Sequence, residues 1–147
     1  MEETLSAFLK NKGYLKISLR ETFTNHLELK AHLNGIEGRF ILDTGASNTC
    51  VGIDCVDHFK LFAEETEVKA TGAGASNMLT QISQDNVIAI KGWIKKKIEV
   101  VVFDLSHVNQ ALTLQDSLPV HGIIGADVLK KGKAIIDYKK RKLYMKP

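Results

Sequence analysis

The chain has 147 residues, the size of one ordinary domain and too short for two. Its 44% apolar and 25% charged residues match a globular composition, which excludes disorder and fibrous repeats. The formal charge of +3, from 20 basic and 17 acidic residues, is too small a surplus to point to nucleic acid. No apolar run approaches the roughly 20 residues needed to span a bilayer, so no membrane association is expected. The acidic start, MEETLSAFLKNKG, carries no secretory pattern. Cys50 and Cys55 lack zinc spacing, and free thiols suit a reducing compartment, so the expected location is cytoplasmic.

Residues 1–13 read as an N-terminal helical extension, because Leu5, Phe8 and Leu9 recur at helical spacing before Gly13. Residues 14–147 read as a single domain. From Tyr14 the apolar period changes to two, giving one strand around Leu15 and Ile17 and a second from Leu27 to Leu33. Asn34-Gly35 supplies the positive-φ pair of a tight hairpin, and Phe40-Ile41-Leu42 forms a third strand leading into Asp43. Thr49 to Val51 is expected as a short strand and Ile53 to Leu61 as a short helix. Glu67 to Ile82 reads as a hairpin with a glycine-rich tip at Gly72-Ala73-Gly74. Further strands are expected at Val87 to Ile90 and Ile98 to Phe103, linked through Gly92-Trp93 and the lysine run Lys95 to Lys97. Asp104 to Pro119 shows no more than a turn of helix and a loop. Val120 to Ile124 is a strand, Gly125 to Lys131 a short helix, and the chain closes with two strands around Ile135 and Tyr144. Many short strands with one or two short helices indicate a compact, mainly β barrel or sandwich.

The segment Phe40-Ile41-Leu42-Asp43-Thr44-Gly45-Ala46-Ser47 carries the chemistry. A buried apolar strand delivers one carboxylate to a tight turn, whose amides can donate to it. By itself an Asp-Thr-Gly triplet is more often a capping or turn aspartate. About eighty residues on, Ile123-Ile124-Gly125 joins an apolar strand to a short helix. Those two motifs, with a glycine-tipped hairpin between them, resemble the retropepsin-like aspartic proteases, of bacterial or cellular type, over roughly Leu27 to Met145.

That resemblance implies a retropepsin-like acid-protease barrel and an endopeptidase hydrolysing peptide bonds of a polypeptide substrate. It implies that Asp43 is the catalytic acid/base, that Thr44 locks two loops together, and that Gly45 permits close approach and donates its amide. Ala46 and Ser47 complete the loop, with Ser47 as an orienting donor. Ala46 stands where pepsin-like sites carry a hydroxyl that stabilises the ionised carboxylate, which implies a less acidic working pH. Gly72, Ala73 and Gly74 would form a flap over substrate. Val51, Ile90 and Ile124 are candidate wall residues, each as readily plain core. Only one Asp-Thr-Gly occurs, so activity implies a homodimer with Asp43 of each copy at a two-fold axis. Neither a metal nor an organic cofactor is required. The chain departs from viral relatives in its longer C-terminal tail, and Ala126-Asp127 replaces an interface arginine.

Other features are weaker. The five histidines show no metal spacing, and Cys50 reads as a buried structural thiol. The runs Lys95 to Lys97 and Lys139 to Lys142 read as solvated hairpin turns. Two other functions fit the composition: a non-catalytic peptide-binding or dimerisation module on the same fold, and a nucleic-acid-binding β-domain resting only on lysine runs.

Overall fold

The computed structural model describes residues 3–70 and 78–147. Helix α1 (Leu5–Asn11) starts where the Thr4 hydroxyl accepts from the Ala7 amide at 3.0 Å, and it stops at Gly13, whose φ is +91°. Strands β1 (Leu15–Ser18) and β2 (Arg20–Glu21) follow, then β3 (Leu27–Leu33) and β4 (Ile36–Leu42). Asn34 and Gly35 join β3 to β4 with φ of +54° and +82°, the two positive values that the sequence leads one to expect there.

After β4 come β5 (Cys50–Gly52), the paired strands β6 (Ala63–Ala70) and β7 (Met78–Ile90), and β8 (Trp93–Phe103). Helix α2 (Ser106–Leu114), β9 (Gly122–Ile124), α3 (Ala126–Lys131), β10 (Ile135–Asp137) and β11 (Lys142–Met145) complete the chain. Three expectations are corrected, the first being Asp104 to Pro119, which carries the nine-residue helix α2 and not a single turn. Ile53 to Leu61 is not a helix: a short 3-10 turn at Ile53–Cys55 runs into irregular turns that end at Lys60, φ +56°. Of the expected link, only Gly92 lies in the turn, at Lys91-Gly92; Trp93 and Lys95 to Lys97 lie inside β8.

The sheet order β3-β4-β9-β5-β8-β7 closes because β7 also pairs with β3, through Ala89 opposite His32 and Ile88 opposite Leu33. The result is a six-stranded barrel with no free edge around the ring. Strand β3 gives one edge to β4 and divides the other between β2 and β7. A separate sheet, β1-β11-β10, is antiparallel throughout.

Alternation along the strands sorts side chains into two cores. Phe40, Leu42, Val51, Val100, Val102 and Ile124 join Trp93 and Phe59 in the larger one. Ile41, Cys50, Val101, Phe103 and Ile123 face the opposite way and are covered by Leu112 of α2. The run Phe40-Ile41-Leu42 is therefore apolar at every position because both faces are buried. Each large side chain so enclosed contributes about 1.5–3 kcal/mol relative to exposure.

Candidate active site

Strand β4 delivers Asp43 to the barrel end alongside β9. The two strands are parallel, with Leu42 opposite Ile124, and the Asp43 amide donates to the Ile124 carbonyl at 3.0 Å. Asp43 is half-buried. Its Oδ1 accepts the Gly45 amide at 2.9 Å, and its carbonyl accepts the Ala46 amide at 3.2 Å. A Cβ at Gly45 would stand 3.3 Å from that same Oδ1, so a side chain there would crowd the carboxylate. Thr44, Gly45 and Ser47 are exposed, whereas Ala46 is buried in the outer core. Ser47 makes no hydrogen bond to Asp43 among the described residues; the orienting donor is the Gly45 amide.

The loop is braced from beneath by residues that its motif does not include. Ala126, at the start of α3, donates its amide to the Ala46 carbonyl at 2.7 Å. Thr49 is 1% exposed, and its hydroxyl accepts the Gly125 amide at 3.0 Å while donating to Asp127 Oδ1 at 2.8 Å. That carboxylate oxygen also accepts the amides of Thr49 at 2.9 Å and Val128 at 2.8 Å. One oxygen of Asp127 thus ties β5, the loop and α3 together. Gly125 is required by closeness: a Cβ there would lie 2.7 Å from the Asn48 carbonyl carbon and 2.8 Å from the Ala46 carbonyl oxygen. Ile123 and Ile124 hold this unit in place by facing the outer and inner cores respectively.

Thr49 and Asp127 were not legible as bracing residues: Thr49 is a lone polar residue between motifs, and Asp127 stood out only as a departure from the viral pattern. The available signals were an aspartate in the first turn of a helix and a threonine opening a strand next to the turn. Val51, Ile90 and Ile124 are corrected: each is 0% exposed and packed in the main core, so none is a wall of an open cleft. Gly72, Ala73 and Gly74 lie outside the described residues.

Burial pushes the Cys50 thiol up to about 12, and the nearby carboxylates of Asp127 and Asp43 add to the effect. Cys55 is raised to about 11 by burial and by Asp54, whose Oδ1 lies 3.6 Å from its sulfur. Both thiols are buried, unpaired and protonated at neutral pH. Among the described residues no group of three His, Cys, Asp or Glu side chains could hold a metal ion, and no helix is long and apolar enough to cross a membrane. A groove of about 730 Å³ lies between the 3-10 turn and α2, lined by Ile53, Asp54, Leu105, Asn109, Leu114 and Pro119 among others, and it does not include Asp43.

The fold is that of solved aspartic proteases. A retropepsin-like aspartic protease from Rickettsia conorii superposes with a TM-score of 0.62 at 20% identity, covering 90% of each chain. The EIAV protease in complex with an inhibitor gives 0.55 at 21% identity, over 75% of this chain and 90% of that one. The retroviral protease-like domain of Ddi1 from Leishmania major gives 0.53 at 17% identity, over 82% and 87%. No curated protein matches the chain. The family described as aspartyl protease matches residues 29–128, a span that includes the Asp43 loop, Thr49 and Asp127. That match covers well over half of the sequence, and the chain belongs to the aspartyl protease family.

Proposed function

We propose that the protein is an aspartic endopeptidase that works as a homodimer, with Asp43 of each copy sharing one site. The observation that carries this reading is the Asp43 carboxylate, half-buried, oriented by the Gly45 amide and set on a loop braced by Thr49, Gly125 and Asp127.

Peptide hydrolysis without a metal needs a base to take a proton from water and an acid to give one to the carbonyl oxygen. Two carboxylates a few ångströms apart cannot both ionise, so a pair sharing one proton supplies both roles. In the first step the ionised Asp43 accepts a water proton as the water oxygen attacks the carbonyl carbon. The protonated Asp43 of the other copy simultaneously gives its proton to the carbonyl oxygen. As the tetrahedral intermediate collapses and the C–N bond breaks, the Asp43 that took the water proton gives it to the leaving nitrogen, and the Asp43 of the other copy takes back a proton from a hydroxyl of the intermediate, which restores the dyad. The dyad titrates as a unit.

One chain supplies only half of this. Asp127 Oδ1 is committed to three donors beneath the loop, and the sequence holds no second Asp-Thr-Gly. The exposed Thr44 hydroxyl has no partner among the described residues, as expected of a group that bonds across a two-fold axis. Gly72 to Gly74 would close over an extended polypeptide, and Ala46 favours a working pH above that of pepsin-like enzymes. The protonated, unpaired thiols suit the cytoplasm.

The test is cleavage of a mixed peptide library at about pH 4–7 and rising protein concentration, with Asp43→Asn alongside. Cleavage that rises faster than linearly with concentration and vanishes in Asp43→Asn is the expected result. A sample shown to be dimeric that cleaves nothing would overturn the reading in favour of a peptide-binding module on the same fold.

A further inference from the structure

Away from the Asp43 loop, a cleft of about 530 Å³ opens between α1, β1 and the turn joining β7 to β8. Three lysines line it, Lys10, Lys16 and Lys91, and among the described residues no carboxylate does. Its floor is formed by Tyr14, Leu15 and the buried Tyr144. None of these residues belongs to the elements that hold Asp43.

The lysines are not free-swinging surface side chains. The Lys16 ammonium donates to the Ser6 hydroxyl at 3.1 Å, and the Lys91 ammonium donates to the Lys16 carbonyl at 2.9 Å. Each is therefore held by one of its three N–H groups, with two left to donate. Lys10 stands one helical turn after Ser6 and shares its face of α1. Lys146 adds a fourth charge beside the cleft: its ammonium is 5.9 Å from the Tyr14 ring, and its backbone is fixed by bonds to Gly132 and Trp93. The Tyr14 hydroxyl in turn donates to the Lys133 carbonyl at 3.0 Å. Among the described residues the two ion pairs, Arg39 with Glu28 and Arg141 with Glu21, involve none of these lysines.

Gathering cations around a concave site without an acid raises its free energy, and a bound anion reverses the sign of that contribution. The volume is that of a small-molecule site, and a concave pocket with an aromatic floor suits a compact ligand better than a polymer or a flat membrane surface. We infer that this cleft binds a small molecule carrying two or more phosphate groups, held by Lys10, Lys16 and Lys91. The inference does not depend on proteolytic activity.

Titration calorimetry with tripolyphosphate, at constant ionic strength, tests it. Saturable binding at one site per chain is expected. Lys16→Gln with Lys91→Gln should weaken it by about tenfold, because charge-assisted contacts are lost. Lys139→Gln with Lys140→Gln, in the turn before β11, should leave it unchanged. Lys10→Gln, which removes no intrachain hydrogen bond seen among the described residues, repeats the test if the double variant melts early. Absence of saturable heat would overturn the inference, as would equal weakening by the Lys139 and Lys140 changes, which signals general attraction. Tighter lysine-dependent binding of a single-stranded oligonucleotide or of phosphatidylserine vesicles would overturn it too.

Discussion

Thr49→Val tests the brace beneath the candidate site most directly. Valine has nearly the shape of threonine, so the substitution removes a hydroxyl without opening a cavity. In the wild type that hydroxyl accepts from the buried Gly125 amide at 3.0 Å and donates to Asp127 Oδ1 at 2.8 Å. In the variant the Gly125 N–H is left buried without a partner, a penalty of about 1–3 kcal/mol. Asp127 also loses one of three donors to the same oxygen, worth about 1 kcal/mol more. The sum is about 3 kcal/mol. For a domain of this size that corresponds to a fall in Tm of about 6–12 °C. Thr49→Ser keeps both bonds and gives up one methyl group, about 1 kcal/mol. Urea unfolding of the two variants beside the wild type measures the difference, and amide exchange at Gly125 shows where it arises. Equal stability of the valine and serine variants would refute the role given to the hydroxyl.

Four further outcomes are expected. Asp43→Asn should abolish cleavage while leaving the unfolding midpoint near that of the wild type, measured on one preparation. Gly125→Ala drives a Cβ against the Asn48 and Ala46 backbone, which should destabilise the fold by about 1–3 kcal/mol and suppress cleavage; a wild-type melting curve would contradict the close packing. Burial, helped by His58 and Arg39, holds the His121 imidazole below its ordinary value, while its Nδ1 accepts the Arg39 amide. The unfolded chain then takes up a proton near pH 6.5 that the folded chain refuses, so this stability is complete above that pH and declines as the pH falls towards the folded value. His121→Asn keeps an acceptor and should shrink the stability difference between about pH 8 and about pH 5; an unchanged difference would assign the pH dependence elsewhere. Finally, with both thiols raised by burial, labelling by a disulfide reagent at about pH 8 should be on the order of 100-fold slower than in urea, and fast labelling would contradict the burial.

The parts of the fold legible in the sequence are those encoded locally. Asn34-Gly35 sits between alternating strands and needs no distant partner to become a hairpin. Phe40 to Leu42 announces a doubly buried strand, and Asp43-Thr44-Gly45 the turn that follows. Lys95 to Lys97 misled because a polar run resembles a turn. In the molecule β8 carries on through it with a bulge, where Lys97 and Asp85 adopt positive φ and the Asn86 amide bonds to Ser83 and to the Ile98 carbonyl. Thr49 with Asp127, and Lys16 with Lys91, were invisible for another reason. Each pair is meaningful only once residues about eighty positions apart are brought together, and no local pattern marks them.

The parallel pairing of β4 with β9 has a consequence for how the molecule acquires its site. Phe40 meets Gly122 and Leu42 meets Ile124, so the loop bearing Asp43 has only its own Gly45 and Ala46 amides for support until two distant stretches of chain have found each other. Closing such a span is entropically slow, and proteins dominated by non-local pairings fold in milliseconds to seconds rather than microseconds. A hairpin such as β3–β4 can form early, but it presents Asp43 without the Ile124 carbonyl, the Ala126 amide or the Thr49 hydroxyl behind it. The carboxylate geometry is therefore tied to formation of the non-local β4–β9 pairing and not to the hairpin alone.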